Sequence, residues 1–252
     1  MEYTPAELMV VAASREIKDN EVVFVGMRLP LLAFLVAKST QAPNAVALYE
    51  NGVIRETPAS ELLFTMGDPP NILGATYAGD MMNVMSYLQK GRVHVGFLGA
   101  GEVDRFGNLN STYVGSNQNK RIRLPGSGGA GDIASLAHRV VALMEHTKAR
   151  LPDRVTYVTS PGFGDGPGWR ERAGLVRGGA SCLITTKAVL RFDSTTKEAY
   201  VDSIHPGVDV NDIRDNTGWQ IKIPNESVRT VAPTEQELKL IRAYDPQRFW
   251  TA

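Results

Sequence analysis

One carboxylate in this chain stands where it could act as a nucleophile. Glu50 follows an apolar run, Ala45-Val46-Ala47-Leu48-Tyr49, and precedes Asn51-Gly52 and a second apolar pair, Val53-Ile54. That pattern reads as a buried strand ending at a tight corner, with the Asn-Gly pair accepting the positive φ that the corner needs. The Glu50 side chain is then presented at the lip of a sheet, where a carboxylate can attack an activated acyl group. On these six residues alone, a solvated hairpin corner is the plainer reading.

A second chemical feature is the glycine cluster Gly126-Ser127-Gly128-Gly129-Ala130-Gly131-Asp132. Placed before a helix, it offers backbone N–H groups and a positive dipole end to an anion. Three roles stay open: a dinucleotide loop, a structural turn, or a site for an oxyanion or thioester carbonyl. Against a dinucleotide, the cluster follows Arg121-Ile122-Arg123-Leu124-Pro125 instead of an apolar strand. The next expected strand, Val155 to Thr159, ends without an acidic residue for a ribose. Other reactive residue types read as structural. Cys182, in Ser181-Cys182-Leu183-Ile184, reads as a small buried hydrophobe, and His94, with no ligand at metal-binding spacing, as a packed imidazole. Gly101 to Thr112 is a polar loop with too few regularly spaced carboxylates to bind calcium, and no metal site is expected.

Around these residues the composition is neutral. In 252 residues, 27 Lys and Arg balance 27 Asp and Glu, which leaves no broad basic field for nucleic acid or an anionic membrane. A single cysteine excludes a disulfide framework and suits a reducing cytosol. The first residues, from Met1 to Pro5, lack the basic and apolar regions of a signal peptide. The longest apolar stretch, Leu29 to Ala37, is too short to span a bilayer. These features lead us to expect a cytoplasmic protein of one domain, 1–252.

The elements that must hold Glu50 read as an open α/β fold. Thr4-Pro5-Ala6-Glu7 opens a helix whose apolar stripe is Met9, Val10, Ala13 and Ile17. Glu21 to Val25 is a strand, Gly26 to Pro30 a loop, Leu31 to Lys38 a helix, and then comes the strand of Glu50. This βαβ unit implies parallel strands with their loops gathered at one edge, where ligands bind. Further strands are expected at 92–99, 155–159, 180–185, 188–192 and 199–201, and helices at 133–144 and 234–244. The methionines of Met81-Met82-Asn83-Val84-Met85 read as core filler on a helix.

Five motifs in order resemble the β-subunit half of class I coenzyme A transferases, glutaconate CoA-transferase in particular. They are Glu50-Asn51-Gly52, Gly107 to Thr112, Gly126 to Ala130, Thr159-Ser160-Pro161-Gly162 and His205-Pro206-Gly207, within a likeness running from about Val10 to Tyr244. The resemblance implies an open α/β domain with a mostly parallel sheet flanked by helices. It also implies CoA transfer from an acyl-CoA to a carboxylic acid, with CoA as substrate and no permanently bound cofactor. Glu50 would be the nucleophile that forms a glutamyl-CoA thioester. Gly128 would donate its N–H to the thioester carbonyl, Asn110 would help position Glu50 and that oxygen, and Gly26, Arg28, Gly129 and Ala130 would border the substrate. Two positions depart from the family pattern. Tyr49 replaces the Ser usual before the glutamate, and Arg28 stands where small or apolar residues are usual. Arg28 either pairs with the distal carboxylate of a dicarboxylic acyl group or makes a structural ion pair. No Gly-Gly-Phe occurs in the chain, so the resemblance also implies a separate α subunit carrying that motif and a heterodimer or heterotetramer. A thioester hydrolase or decarboxylase on the same fold is the alternative, as is a noncatalytic scaffold protein.

Overall fold

The computed structural model describes residues 2–115, 121–175, 177–225 and 228–252, and they fall into two compact units, 1–97 with 231–252, and 98–230. Met1, where the N-terminal reading begins, lies outside the described residues. The first unit contains α1 (Pro5–Ser14), β1 (Val22–Phe24), α2 (Leu29–Ser39), β2 (Val46–Tyr49), β3 (Val53–Arg55), α3 (Pro69–Ile72), β4 (Tyr77–Ala78), α4 (Met81–Gln89) and the start of β5 (Val95–Gly99), whose last two residues belong to the second unit. The second contains β6 (Glu102–Val103), β7 (Leu109–Asn110), β8 (Tyr113–Val114), β9 (Ile122–Arg123), α5 (Ala130–Leu136), β10 (Arg139–Met144), α6 (Trp169–Arg172), β11 (Ala180–Thr185), β12 (Ala188–Phe192), β13 (Ala199–Ile204), α7 (Val210–Asp215) and β14 (Val228–Arg229). The chain returns to the first unit for α8 (Glu235–Tyr244).

In the first unit the strands run β5, β1, β2, β3, β4, with β1 parallel to both its neighbours and β2–β3–β4 an antiparallel edge. The expected βαβ unit is present, and its strands are apolar because they are buried. Helices α1, α2 and α8 pack on one another. Both α1 and α8 start in capping boxes, Thr4 with Glu7 and Thr234 with Glu237. Glu7 then joins the two helices, accepting Arg242 Nε at 2.7 Å. In the second unit the order is β14, β13, β12, β11, β10, with β10–β11 and β13–β14 parallel and the two central pairings antiparallel. The open α/β class expected from the sequence holds.

Three local expectations do not hold. The run 133–144 is not one helix: α5 ends at Leu136, Ala137 turns to extended backbone at φ −66°, ψ 152°, and 139–144 is a strand buried from Val140 to Met144. Strands buried on both faces lack the alternation that distinguishes them from buried helices. Residues 155–159 form no strand. Their β-branched residues are largely exposed and find only the bridge of Ser160 to Leu109 beside them. Met81 and Met82 are not core filler but 49 % and 71 % exposed, because the inner face of α4 is Val84 and Leu88. The smaller readings stand: Cys182 is buried, and His94 Nδ1 accepts the Val22 N–H at 2.9 Å.

Candidate active site

Glu50 is the first residue of the three-residue connection between β2 and β3, in which Tyr49 pairs with Val53 and the Gly52 N–H donates to the Tyr49 carbonyl at 3.0 Å. A connection of this length needs a left-handed residue before the returning strand. Gly52 supplies it at φ +101°, and a Cβ there would lie 2.4 Å from the Gly79 carbonyl oxygen. The corner is thus pinned from outside as well as bent from within. Tyr49, in place of the usual Ser, is 1 % exposed and anchors the hairpin in the core. Burial, reinforced by Tyr244, raises its pKa, so it stays a neutral phenol. Asn51 Nδ2 donates to the Met66 carbonyl at 2.6 Å. Glu50 itself is half-buried.

Beside this corner lies the loop after β1. Phe24 pairs with Leu48 and the Val25 N–H donates to the Leu48 carbonyl at 2.9 Å, so Gly26 and Glu50 leave their parallel strands at the same edge. Gly26 keeps the backbone close to Phe97, whose carbonyl oxygen would sit 3.2 Å from an added Cβ. Arg28, at the N-cap of α2, has φ 69° and ψ −122°, a strained conformation for a non-glycine residue, costing roughly 1–3 kcal/mol. Its exposed guanidinium lies over the Trp250 ring, 5.1 Å from the centroid. First-unit residues Gly26, Arg28 and Glu50 therefore belong to one sheet edge.

The remaining expected residues are in the second unit. Asn110 is 0 % exposed and paired across strands with Glu102. Its Nδ2 donates to Glu102 Oε2 and to the Tyr113 carbonyl, both at 2.7 Å, while its Oδ1 accepts the Thr112 N–H at 3.0 Å. Both Nδ2 hydrogens are thereby committed within the chain, so Asn110 fixes the Asn-Ser-Thr turn. Glu102 also accepts the Thr156 N–H at 2.8 Å and hydroxyl at 2.9 Å. The Ser111 N–H donates to Thr159 Oγ1 at 2.9 Å, and the Ser111 carbonyl accepts the Gly126 N–H at 2.8 Å. Three motifs distant in sequence, the Asn110 turn, the glycine cluster and the Thr159 loop, are thus bonded into one structure. At Gly162 the backbone comes so near Gly107 that a Cβ would lie 2.3 Å from its carbonyl carbon. Gly128 is exposed at φ +46°, Gly129 is buried as the N-cap of α5, and Ala130 is its first residue.

The fifth motif does no visible chemistry. His205 is 2 % exposed, with Nε2 on the Thr185 carbonyl at 2.8 Å and Nδ1 on Thr230 Oγ1 at 2.9 Å, and burial lowers its pKa. The sequence reading missed Glu102 and its neighbour Asp104, the buried carboxylates that organise the loop. Asp104 is raised in pKa by burial and held by Asn108 and backbone N–H groups. Their signal was the period-two match of Glu102 and Asp104 with Asn108 and Asn110 across a tight turn. Among the described residues, no three His, Cys, Asp or Glu side chains are grouped to hold a metal, and no helix is long and apolar enough to cross a membrane.

The family model for Coenzyme A transferase matches residues 6–216. The chain belongs to the coenzyme A transferase family. Among its family relatives, the B subunit of 3-oxoadipate CoA-transferase from Pseudomonas knackmussii is 38 % identical over 96 % of this chain and 94 % of its own. The B subunit of glutaconate CoA-transferase from Acidaminococcus fermentans is 35 % identical over 95 % of this chain and 91 % of its own. The crystal structure of that organism's glutaconate CoA-transferase superposes with a TM-score of 0.90 at 32 % identity, covering 100 % of this chain and 99 % of the other. The decarboxylase AibA/AibB shares the fold at a TM-score of 0.84 and 26 % identity, over 99 % and 98 % of the two chains.

Proposed function

We propose that residues 1–252 act as one functional domain, the β half of a class I CoA-transferase that works in the cytosol with a separate α subunit. The observation that carries this reading is Glu50, a half-buried carboxylate at the apex of a hairpin whose shape only glycine at position 52 permits. The Glu50 carboxylate attacks the carbonyl of an acyl-CoA; the C–S bond breaks, CoA thiolate leaves, and an acyl-glutamyl anhydride remains. The thiolate then attacks the glutamyl carbonyl, which releases the first acid as its carboxylate and leaves CoA on Glu50 as a thioester. A second carboxylate runs both steps in reverse. Charge is conserved throughout, and the thioester's energy stays in the protein between substrates, so ping-pong kinetics follow.

Gly128 donates its N–H to the thioester carbonyl oxygen as charge develops there, an interaction of about 3 kcal/mol in the transition state. Asn110 holds the turn that the glycine cluster is bonded to, a positioning role through Ser111. Gly26, Gly129 and Ala130 border the substrate, and Arg28 meets the distal carboxylate of a dicarboxylic acyl group. Relatives named for glutaconate and 3-oxoadipate support an acyl group of that class, and their naming as B subunits supports an α partner. Thioester hydrolysis or decarboxylation is the weaker reading, since the more similar relatives carry transferase names.

The test is acyl exchange by the assembled complex. Glu50→Ala is expected to cut it by about a thousandfold or more without changing the size of the complex. Undiminished exchange would remove Glu50 from the mechanism.

A further inference from the structure

The second unit holds a cavity of about 390 Å³, and none of the residues assigned to CoA transfer lines it. Its volume falls within the range of pockets for small organic ligands. Of the ionisable residues around it, His138, Arg170, Arg177 and Lys197 are basic, and Glu171 alone is acidic. Phe163 and Trp169, both half-buried, add two aromatic rings to the lining.

The charges of the wall do not cancel. Arg170 is 6 % exposed, and its guanidinium donates to the carbonyls of Pro161, Gly162, Ala134, Ser135 and Arg177, with no carboxylate among these partners. Carbonyl dipoles satisfy its N–H groups but leave its net charge in a wall with little water, where an anion is attracted more strongly than at an open surface. Among the described residues, neither Arg177 nor Lys197 makes an ion pair. Arg172, outside the lining, is by contrast neutralised by Asp165 at 2.9 Å. Lys197 stands in the left-handed region at φ 63°, uncommon for so long a side chain. Its Nζ donates to the Ser194 carbonyl at 2.8 Å and lies 5.3 Å from the centre of the Phe163 ring.

The walls are also braced. Through its five carbonyls, Arg170 ties the backbone at 161–162 to α5 and to Arg177. The Trp169 indole lies directly on Gly164, where a Cβ would stand 2.0 Å from Cδ2, and the Phe163 ring lies 2.8 Å from where a Cβ on Gly179 would go. A cavity built this firmly binds without a large ordering cost. Bare phosphate would leave the aromatic part of the lining unused, and a neutral ring would leave Arg177 and Lys197 without a counter-charge. A guanidinium and an ammonium together suit a phosphate, and aromatic faces suit a flat base.

We propose that this cavity binds a nucleoside phosphate, its base against Phe163 and Trp169 and its phosphate between Arg177 and Lys197, with Arg170 adding its charge from the wall. A free nucleotide and the nucleotide end of CoA both carry this chemistry. The proposal is read from binding alone and does not depend on the Glu50 mechanism.

The probes are adenosine 5′-monophosphate, adenosine and inorganic phosphate, each titrated calorimetrically into the full chain. The monophosphate is expected to bind at one saturable site, at least about tenfold more tightly than adenosine or phosphate, and more weakly as salt rises. Arg177→Gln and Lys197→Asn are each expected to weaken it by about tenfold or more, the loss of one charge-assisted hydrogen bond; Asn tolerates the left-handed backbone at 197. Arg172→Gln should leave the dissociation constant within about twofold. Circular dichroism checks that each variant is folded, and the comparison of the three probes on the wild-type chain needs no variant at all. CoA is then titrated against the bound monophosphate: displacement assigns the pocket to the nucleotide end of CoA, and independent binding assigns it to a separate nucleotide. Absence of saturable binding of the monophosphate at millimolar concentration would overturn the proposal, as would binding that Arg177→Gln and Lys197→Asn both leave unchanged.

Discussion

At the scale of single residues, the account turns on what surrounds two charges. Glu50 is held at its corner by Gly52, and Tyr49, the departure from the family's Ser, substitutes core burial for a small polar side chain. Arg28 occupies a strained backbone conformation at the edge where Glu50 emerges, with its guanidinium over the Trp250 ring. A cation kept exposed on an aromatic face at such a conformational cost is suited to meet an anionic substrate. If it meets the distal carboxylate, Arg28→Met should raise KM for dicarboxylic acyl-CoAs by roughly 10- to 100-fold, the worth of a charge-assisted hydrogen bond, and hardly change it for monocarboxylic ones. Equal effects on both classes would return Arg28 to a structural role. The Glu50 hairpin was legible because an Asn-Gly pair after an apolar run marks a strand ending at a tight corner, whereas the role of nucleophile came only from the resemblance. The stacking of Arg28 on Trp250 was not legible, since the two are far apart in sequence, whereas the amide of Asn110 is taken by near neighbours, Glu102 and Tyr113, and was missed because the short β6–β7 pairing was not read.

At the scale of elements, the hairpin carries the most specific demand. Gly52 combines φ +101° with a backbone carbonyl where a Cβ would go, and neither neighbour can yield without moving β4 from β3. Gly52→Ala should therefore cost about 2 kcal/mol, lowering the melting temperature by roughly 4–8 °C, and should depress exchange further by displacing Glu50. A variant melting within about 1 °C of wild type would contradict the close approach. Capped and periodic elements were readable in advance: α1 and α8 announce themselves by Thr-x-x-Glu boxes. The run 133–144 was not, because β10 is buried along nearly its whole length and its apolar residues show no period. The 155–159 segment failed for the opposite reason, β-branched residues with no strand to pair with.

At the scale of the whole molecule, the equal numbers of acidic and basic residues conceal a local asymmetry, the basic lining of the second-unit cavity, which the overall count could not disclose. The family itself was legible because its motifs mark places where backbone meets backbone: Gly52 against Gly79, Gly162 against Gly107, and the Ser111 carbonyl against the Gly126 N–H. Such positions tolerate few residue types, so their order along the chain is informative even when each is short. The central claim is that CoA passes through a covalent bond to Glu50. It is tested most directly by the intact mass of this chain after its complex with the α subunit is given an acyl-CoA and no acceptor acid. The account predicts that the chain gains the mass of CoA less one water, and that borohydride converts the modified residue, mapped to Glu50, to the corresponding alcohol. Consumption of acyl-CoA with neither an adduct nor a reduced residue at Glu50 would contradict it.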